Sequence, residues 1–151
     1  ASLVVKQGRG EDMGRKITNL ETAIRNVFAD LEDNGFSTGT PDTIEYNCCQ
    51  TCSWSSFEDK DKEKSIVFYH IQDREHYRED IKDQVLEPSL YLAHSFISEE
   101  DKSLFLSCLL QHRVNIDWDL TSETRPRVFM APKDRTRGEI VERSDIDFVA
   151  N

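Results

Sequence analysis

Residues 44–73 constrain this chain more than any other stretch: IEYNCCQTCSW, a charged break, and then SIVFYHIQD. They hold three of the four cysteines, one of the two tryptophans and a dense apolar run, so the body of any sheet has to pass through them. Ile44, Tyr46 and Cys48 alternate with Glu45, Asn47 and Cys49, the period of two expected of a half-buried strand. Cys49 and Cys52 flank Gln50 and Thr51, which predicts a tight hairpin with two thiols facing each other at its tip. Neither Gln50 nor Thr51 favours the positive φ of a two-residue turn, and a looser knuckle is the alternative. Ser53 to Phe57 then reads as the return strand and residues 58–64 as a charged turn. Ile66 to Ile71, β-branched and aromatic, reads as a central strand covered on both faces.

Around this stretch the pattern changes period. From Arg15 to Asn34 the residues Ile17, Leu20, Ile24, Val27, Phe28 and Leu31 recur at spacings of three and four, one apolar stripe of an α-helix. Gly35 closes it in the left-handed conformation, and Phe36 folds back on the last turn. Tyr77, Ile81 and Val85 are the sparse apolar repeat of a short surface helix that Pro88 ends. Leu90 to Phe96 predicts one further strand. Ser98 with Asp101 three residues on resembles a capping box, and the helix it starts, through His112, carries Leu104, Phe105, Cys108 and Leu109. Val114, Ile116, Trp118 and Leu120 alternate with Asn115, Asp117 and Asp119 in a strand with one buried face, and Arg127 to Met130 is its hairpin partner. The fold expected is α+β: one domain, a mostly antiparallel sheet of about five to six strands, packed by two long helices. Its bounds are a mobile arm at 1–14, the domain at 15–131 and a charged, partly ordered tail at 132–151, where Ile146, Phe148 and Val149 can dock.

A net charge of −10 argues against direct nucleic-acid binding, where Lys and Arg must replace released counterions. It favours a protein partner, a basic one in particular. No apolar segment approaches the roughly 20 residues that span a bilayer, so the expectation is no membrane partner and a cytoplasmic location.

The pieces NCCQTCSW, IVFYHIQD, SLYLAHSF, VNIDWD and RPRVF together resemble an uncharacterised bacterial domain family. That family has a Cys-Cys-x-x-Cys hairpin, an aromatic-His-Gln-x-Asp strand end and a Trp-Asp turn. The matching positions are Cys48, Cys49, Cys52, His70, Asp73, Trp118 and Asp119. Ser53 stands where the family has Gly, Ile71 precedes Gln72, and His94-Ser95 replaces Tyr-Gly. The resemblance implies a fold and no reaction.

Chemistry concentrates on the cysteines. A Cys-x-x-Cys pair is half of a zinc motif, and a structural zinc needs four ligands. Cys48, His70, His94 and Cys108 are the candidates to complete it, with Cys49, Cys52, Cys48 and His70 the set preferred. In a regular strand Cys48 and Cys49 point to opposite faces and cannot both reach one ion unless a bulge intervenes. Against metal stands the plainer reading of buried or turn thiols, free or reversibly bridged. Asn115, Asp117 and Asp119 share a face that can hold a hard cation but reads first as the wet side of a strand. His70 with Asp73 is an acid/base pair or a structural hydrogen bond. No Gly-rich phosphate loop, HExxH or GxSxG motif occurs. The functional expectation is a non-enzymatic protein-interaction module, in a larger assembly. The alternatives are a small metal-binding or thiol-dependent enzyme using Cys49, Cys52 and His70, and an acidic mimic of nucleic acid.

Overall fold

A computed structural model describes residues 3–6, 19–57, 61, 63–130 and 139–142. In chain order the elements are β1 (Leu3–Lys6), α1 (Leu20–Asp33), β2 (Ser37–Gly39), α2 (Gln50–Trp54), β3 (Ile66–Phe68), α3 (Ile71–Lys82), β4 (Ser89–Tyr91), β5 (Ala93–Ser95), α4 (Glu99–Gln111), β6 (Val114–Trp118), β7 (Arg127–Met130) and β8 (Glu139–Glu142). The α+β class holds, with a correction to its layout: the strands form two sheets. One has five antiparallel strands in the order β4-β7-β6-β1-β8; the other has three in the order β2-β3-β5, with β2 parallel to β3.

The two strongest helical stripes form as their spacing requires. α1 buries Leu20, Ala23, Ile24, Val27, Phe28 and Leu31, starts at Asn19, whose side chain accepts the Thr22 N–H, and ends before Gly35 at φ +91°. Phe36 folds back as expected, its N–H reaching the Leu31 carbonyl at 3.0 Å. The Ser98 hydroxyl accepts the Asp101 N–H at 3.1 Å and opens α4. Both helices pack on β6 and on each other, and they share one core with Leu90, Leu92, Trp118 and Val128. Ile17 and the docking residues Ile146, Phe148 and Val149 lie outside the described residues.

Several expectations need correcting. Leu3–Lys6, assigned to a mobile arm, is a strand between β6 and β8, with Val4 fully buried. Within the tail expected to be partly ordered, Glu139–Glu142 form β8, the partner of β1. The expected strand from Leu90 to Phe96 is two strands in different sheets. The Leu92 N–H bonds the Pro126 carbonyl at 3.0 Å, and the chain changes sheets there.

The row Asn115, Asp117, Asp119 is not a wet face. β6 is an interior strand buried on both sides, with Asn115 at 0% and Asp117 at 8% exposure. Asp117 sits opposite Arg127 in register, 3.4 Å from its guanidinium, so neighbouring strands neutralise what the alternation placed in water. The Asp119 carboxylate is taken up by Thr121 and Thr124. Among the described residues, no hard-cation set is assembled there.

α3 is a third long helix. Its buried face is ionic: Asp73 and Arg74 accompany Tyr77. Arg74 donates through Nε to Glu21 at 2.7 Å and through both terminal nitrogens to Asp42 at 3.0 and 2.6 Å. The Tyr69 hydroxyl donates to the same Glu21 carboxylate at 2.8 Å. This network ties α1, β3, α3 and the loop after β2 together, and that loop leads directly into the cysteines.

Candidate metal centre

Residues 44–48 form no strand and residues 50–54 are a helix, so the predicted hairpin is absent. Cys49 is the N-cap, extended at φ −160° and ψ 173°, and its sulfur accepts the Cys52 N–H at 3.5 Å. One helical turn brings positions three apart onto one face, so Cys49 and Cys52 meet without a turn that requires positive φ. The objection from alternation also falls, because Cys48 and Cys49 are not in a ladder. The sulfurs of Cys48, Cys49 and Cys52 all lie within 4.8 Å of one another.

The loop is held from three sides. The Asn47 carbonyl accepts the Ile71 N–H at 2.8 Å, the Asn47 side chain donates to the Pro41 carbonyl at 2.6 Å, and the Tyr46 N–H donates to Ser56 at 2.8 Å. Beneath α2, Trp54 meets Phe68 edge-on with ring centres 4.8 Å apart, and Phe57 lies 5.3 Å from the same ring. Gly39, paired with Phe68 across the sheet, leaves no room for a Cβ because the Ile44 side chain occupies that space. A glycine is needed there for close approach, and any side chain would push Ile44 and the loop outward.

Cys48 is exposed and the other two thiols are half-buried. The Cys52 amide and thiol, donating to Cys49, hold its proton affinity below the ordinary cysteine value. The thiols of Cys48 and Cys49 push Cys52 up to about 11. Cys49 and Cys52 titrate as an interacting pair, the thiolate of one stabilised by its neighbours and its charge opposing loss of the next proton. These thiols are three soft donors converging on one point.

His70, expected as a ligand, does not join this group among the described residues. It is the N-cap of α3, 3% exposed, with Nε2 3.3 Å from Asp73, whose carboxylate also receives Arg125 at 2.7 Å. Burial lowers its proton affinity, with Asp73 opposing. Cys108 is buried in the main core.

A concavity of about 680 Å³ lies between Trp54, Phe96, Lys102 and Trp118, with His94 in its wall. The His94 ring stacks on Phe96 at 5.1 Å, and its Nε2 bonds the Thr124 carbonyl at 2.8 Å. Burial lowers the pKa of His94; Lys102 and Arg125 add to this, while the Thr124 carbonyl and Asp119 oppose it. The unfolded chain, with its ring near the ordinary value of about 6.5, takes up the proton first. Stability is therefore lost as pH falls from about 6.5 toward the lowered folded value. The drop in urea midpoint between pH 7.5 and 5.5 is expected to be smaller in His94→Gln than in the parent. An equal drop would remove His94 from the account.

No helix among the described residues is long and apolar enough to cross a membrane. Comparison with family models, with curated proteins and with solved structures finds no match to this chain. What fold and site define is a class only: an α+β domain that carries a trithiol at the start of a single-turn helix.

Proposed function

We propose that this protein binds a thiophilic metal or metalloid ion through Cys48, Cys49 and Cys52, as a non-enzymatic binding domain. The single observation that carries this reading is the convergence of three sulfurs within 4.8 Å. Sulfurs around one tetrahedral ion, at the roughly 2.3 Å of a zinc–sulfur bond, lie about 3.8 Å apart, inside that limit. An all-sulfur set selects soft ions over calcium or magnesium. Three thiolates on Zn²⁺ also leave the site net negative, a poor setting for making a bound water acidic, which agrees with binding rather than hydrolysis. The CCxxC family resemblance would make the trio a shared feature of that family.

The test is reconstitution of the reduced protein with Zn²⁺, followed by desalting and elemental analysis. About one equivalent should remain on the parent and none on a Cys48→Ser, Cys49→Ser, Cys52→Ser variant. A fully reduced parent that keeps no zinc and takes up no other thiophile would sink the proposal.

A protein-interaction role is the second reading, and one surface feature favours it. Ile81, Val85 and Leu86 are 50%, 45% and 67% exposed at the end of α3. Exposed Glu79 and Asp83 border them, which suits a partner both apolar and basic. A partner copurified from the native host should be lost on Leu86→Glu. Retention would exclude this patch.

A further inference from the structure

The occupant of the trithiol can be narrowed, and the narrowing rests on the binding role just proposed. Coordination number comes first. A zinc site of the structural kind is tetrahedral, with four protein ligands. Among the described residues, no fourth histidine, cysteine, aspartate or glutamate joins the three sulfurs. His70 is turned to Asp73, and Cys48 faces water. Among the described residues, the trio thus offers three sulfurs with an exposed side at Cys48.

Charge is the second consideration. Three thiolates around Zn²⁺ leave one negative charge, and around a monovalent ion two, on a chain already at −10. A trivalent centre is neutralised by three thiolates with nothing left over.

We infer that the trio of Cys48, Cys49 and Cys52 is a receptor for a three-coordinate trivalent metalloid delivered as its neutral hydroxide, of which arsenous acid is the type. In the condensation three As–O bonds break and three As–S bonds form. Each thiol proton leaves with a hydroxide as water, and arsenic stays trivalent throughout. No oxidant or reductant is required. The product is uncharged and pyramidal, with its open side toward solvent above Cys48.

The experiment titrates the reduced, full-length protein with arsenite, with Zn²⁺ and with phenylarsine oxide, a reagent that takes only two thiols. Arsenite should bind one to one, with three sulfur neighbours by X-ray absorption and almost no net proton release in an unbuffered cell, where zinc releases protons. Cys48→Ser should weaken arsenite by about a hundredfold or more, through loss of the third tethered contact, yet keep phenylarsine oxide on Cys49 and Cys52. Zinc retained in the parent while arsenite binds through two sulfurs or not at all would overturn this inference and leave the proposed function standing. Retention of neither ion would overturn both.

Discussion

Replacing Arg74 with methionine is expected to destabilise the protein by about 3–5 kcal/mol, the range for stripping one partner from a buried ion pair. The expectation is this large because Arg74 and Glu21 are each only 8% exposed, and Glu21 is left in place by the change. Its carboxylate would keep the Tyr69 hydroxyl and, at 3.5 Å, the exposed Arg78, neither of which replaces a direct Nε–H bond. Since a domain of this size holds together by about 5–15 kcal/mol, the urea midpoint should fall by a large fraction of its value. Adding Glu21→Leu to Arg74→Met should restore much of the loss, because removing both buried charges costs far less than stranding one. A single variant within about 1 kcal/mol of the parent would show that Glu21 is stabilised by something other than Arg74. Asp42 loses its bidentate partner in the same change. Its side chain is 61% exposed, so this contributes little to stability, but it frees the start of the loop that carries the cysteines.

This network also explains where sequence reading stopped. α1 and α4 were legible because their buried faces are apolar, and α4 also because Ser98 opens it; the Asn19 cap of α1 was not read. The β6–β7 hairpin was legible because Val114, Ile116, Val128 and Phe129 fill core positions across it. α3 was half legible: Tyr77 marked its buried side, but Asp73 and Arg74 there look like surface residues until Arg125, Glu21 and Asp42 are seen opposite them. β6 misled for the same reason, since Asp117 is polar by type and buried by its pairing with Arg127.

At the candidate centre, residue types pointed correctly and local geometry did not. The alternation from Ile44 to Cys49 has the period of a strand, yet the backbone there bonds outward to Ser56 and Ile71 rather than to a ladder. Cys-x-x-Cys fits one helical turn as readily as a hairpin tip. The poor turn propensity of Gln50 and Thr51 was the available sign that the helix would win. His70 entered the ligand set as one of the few residues available to complete half a motif, while its capping position turns it toward Asp73.

Phe68→Ala should cost about 3–5 kcal/mol, the range for truncating a fully buried phenylalanine, and it should do so asymmetrically. Phe68 is 0% exposed and forms a small core of its own with Ile66 and Ala93, on which Ile44, Trp54 and Phe57 pack. That cluster is separate from the main core, so the cavity opens beneath α2 and not beneath α1 or α4. The cysteine helix has only five residues, too few to persist without that platform. Local opening should therefore expose the thiols faster, by about tenfold for each 1.4 kcal/mol of local stability lost. Phe105→Ala is the matched comparison: Phe105 is equally buried, but in the main core with Leu109 and Trp118. Both variants should lower the unfolding midpoint by similar amounts. Only Phe68→Ala should accelerate the reaction of the half-buried Cys49 and Cys52 with a thiol reagent under native conditions, and only it should weaken binding at the trio. Equal thiol rates in the two variants would mean that the cysteine loop is held by Asn47, Ser56 and Ile71 alone, with the aromatic cluster beneath it serving the fold and not the site.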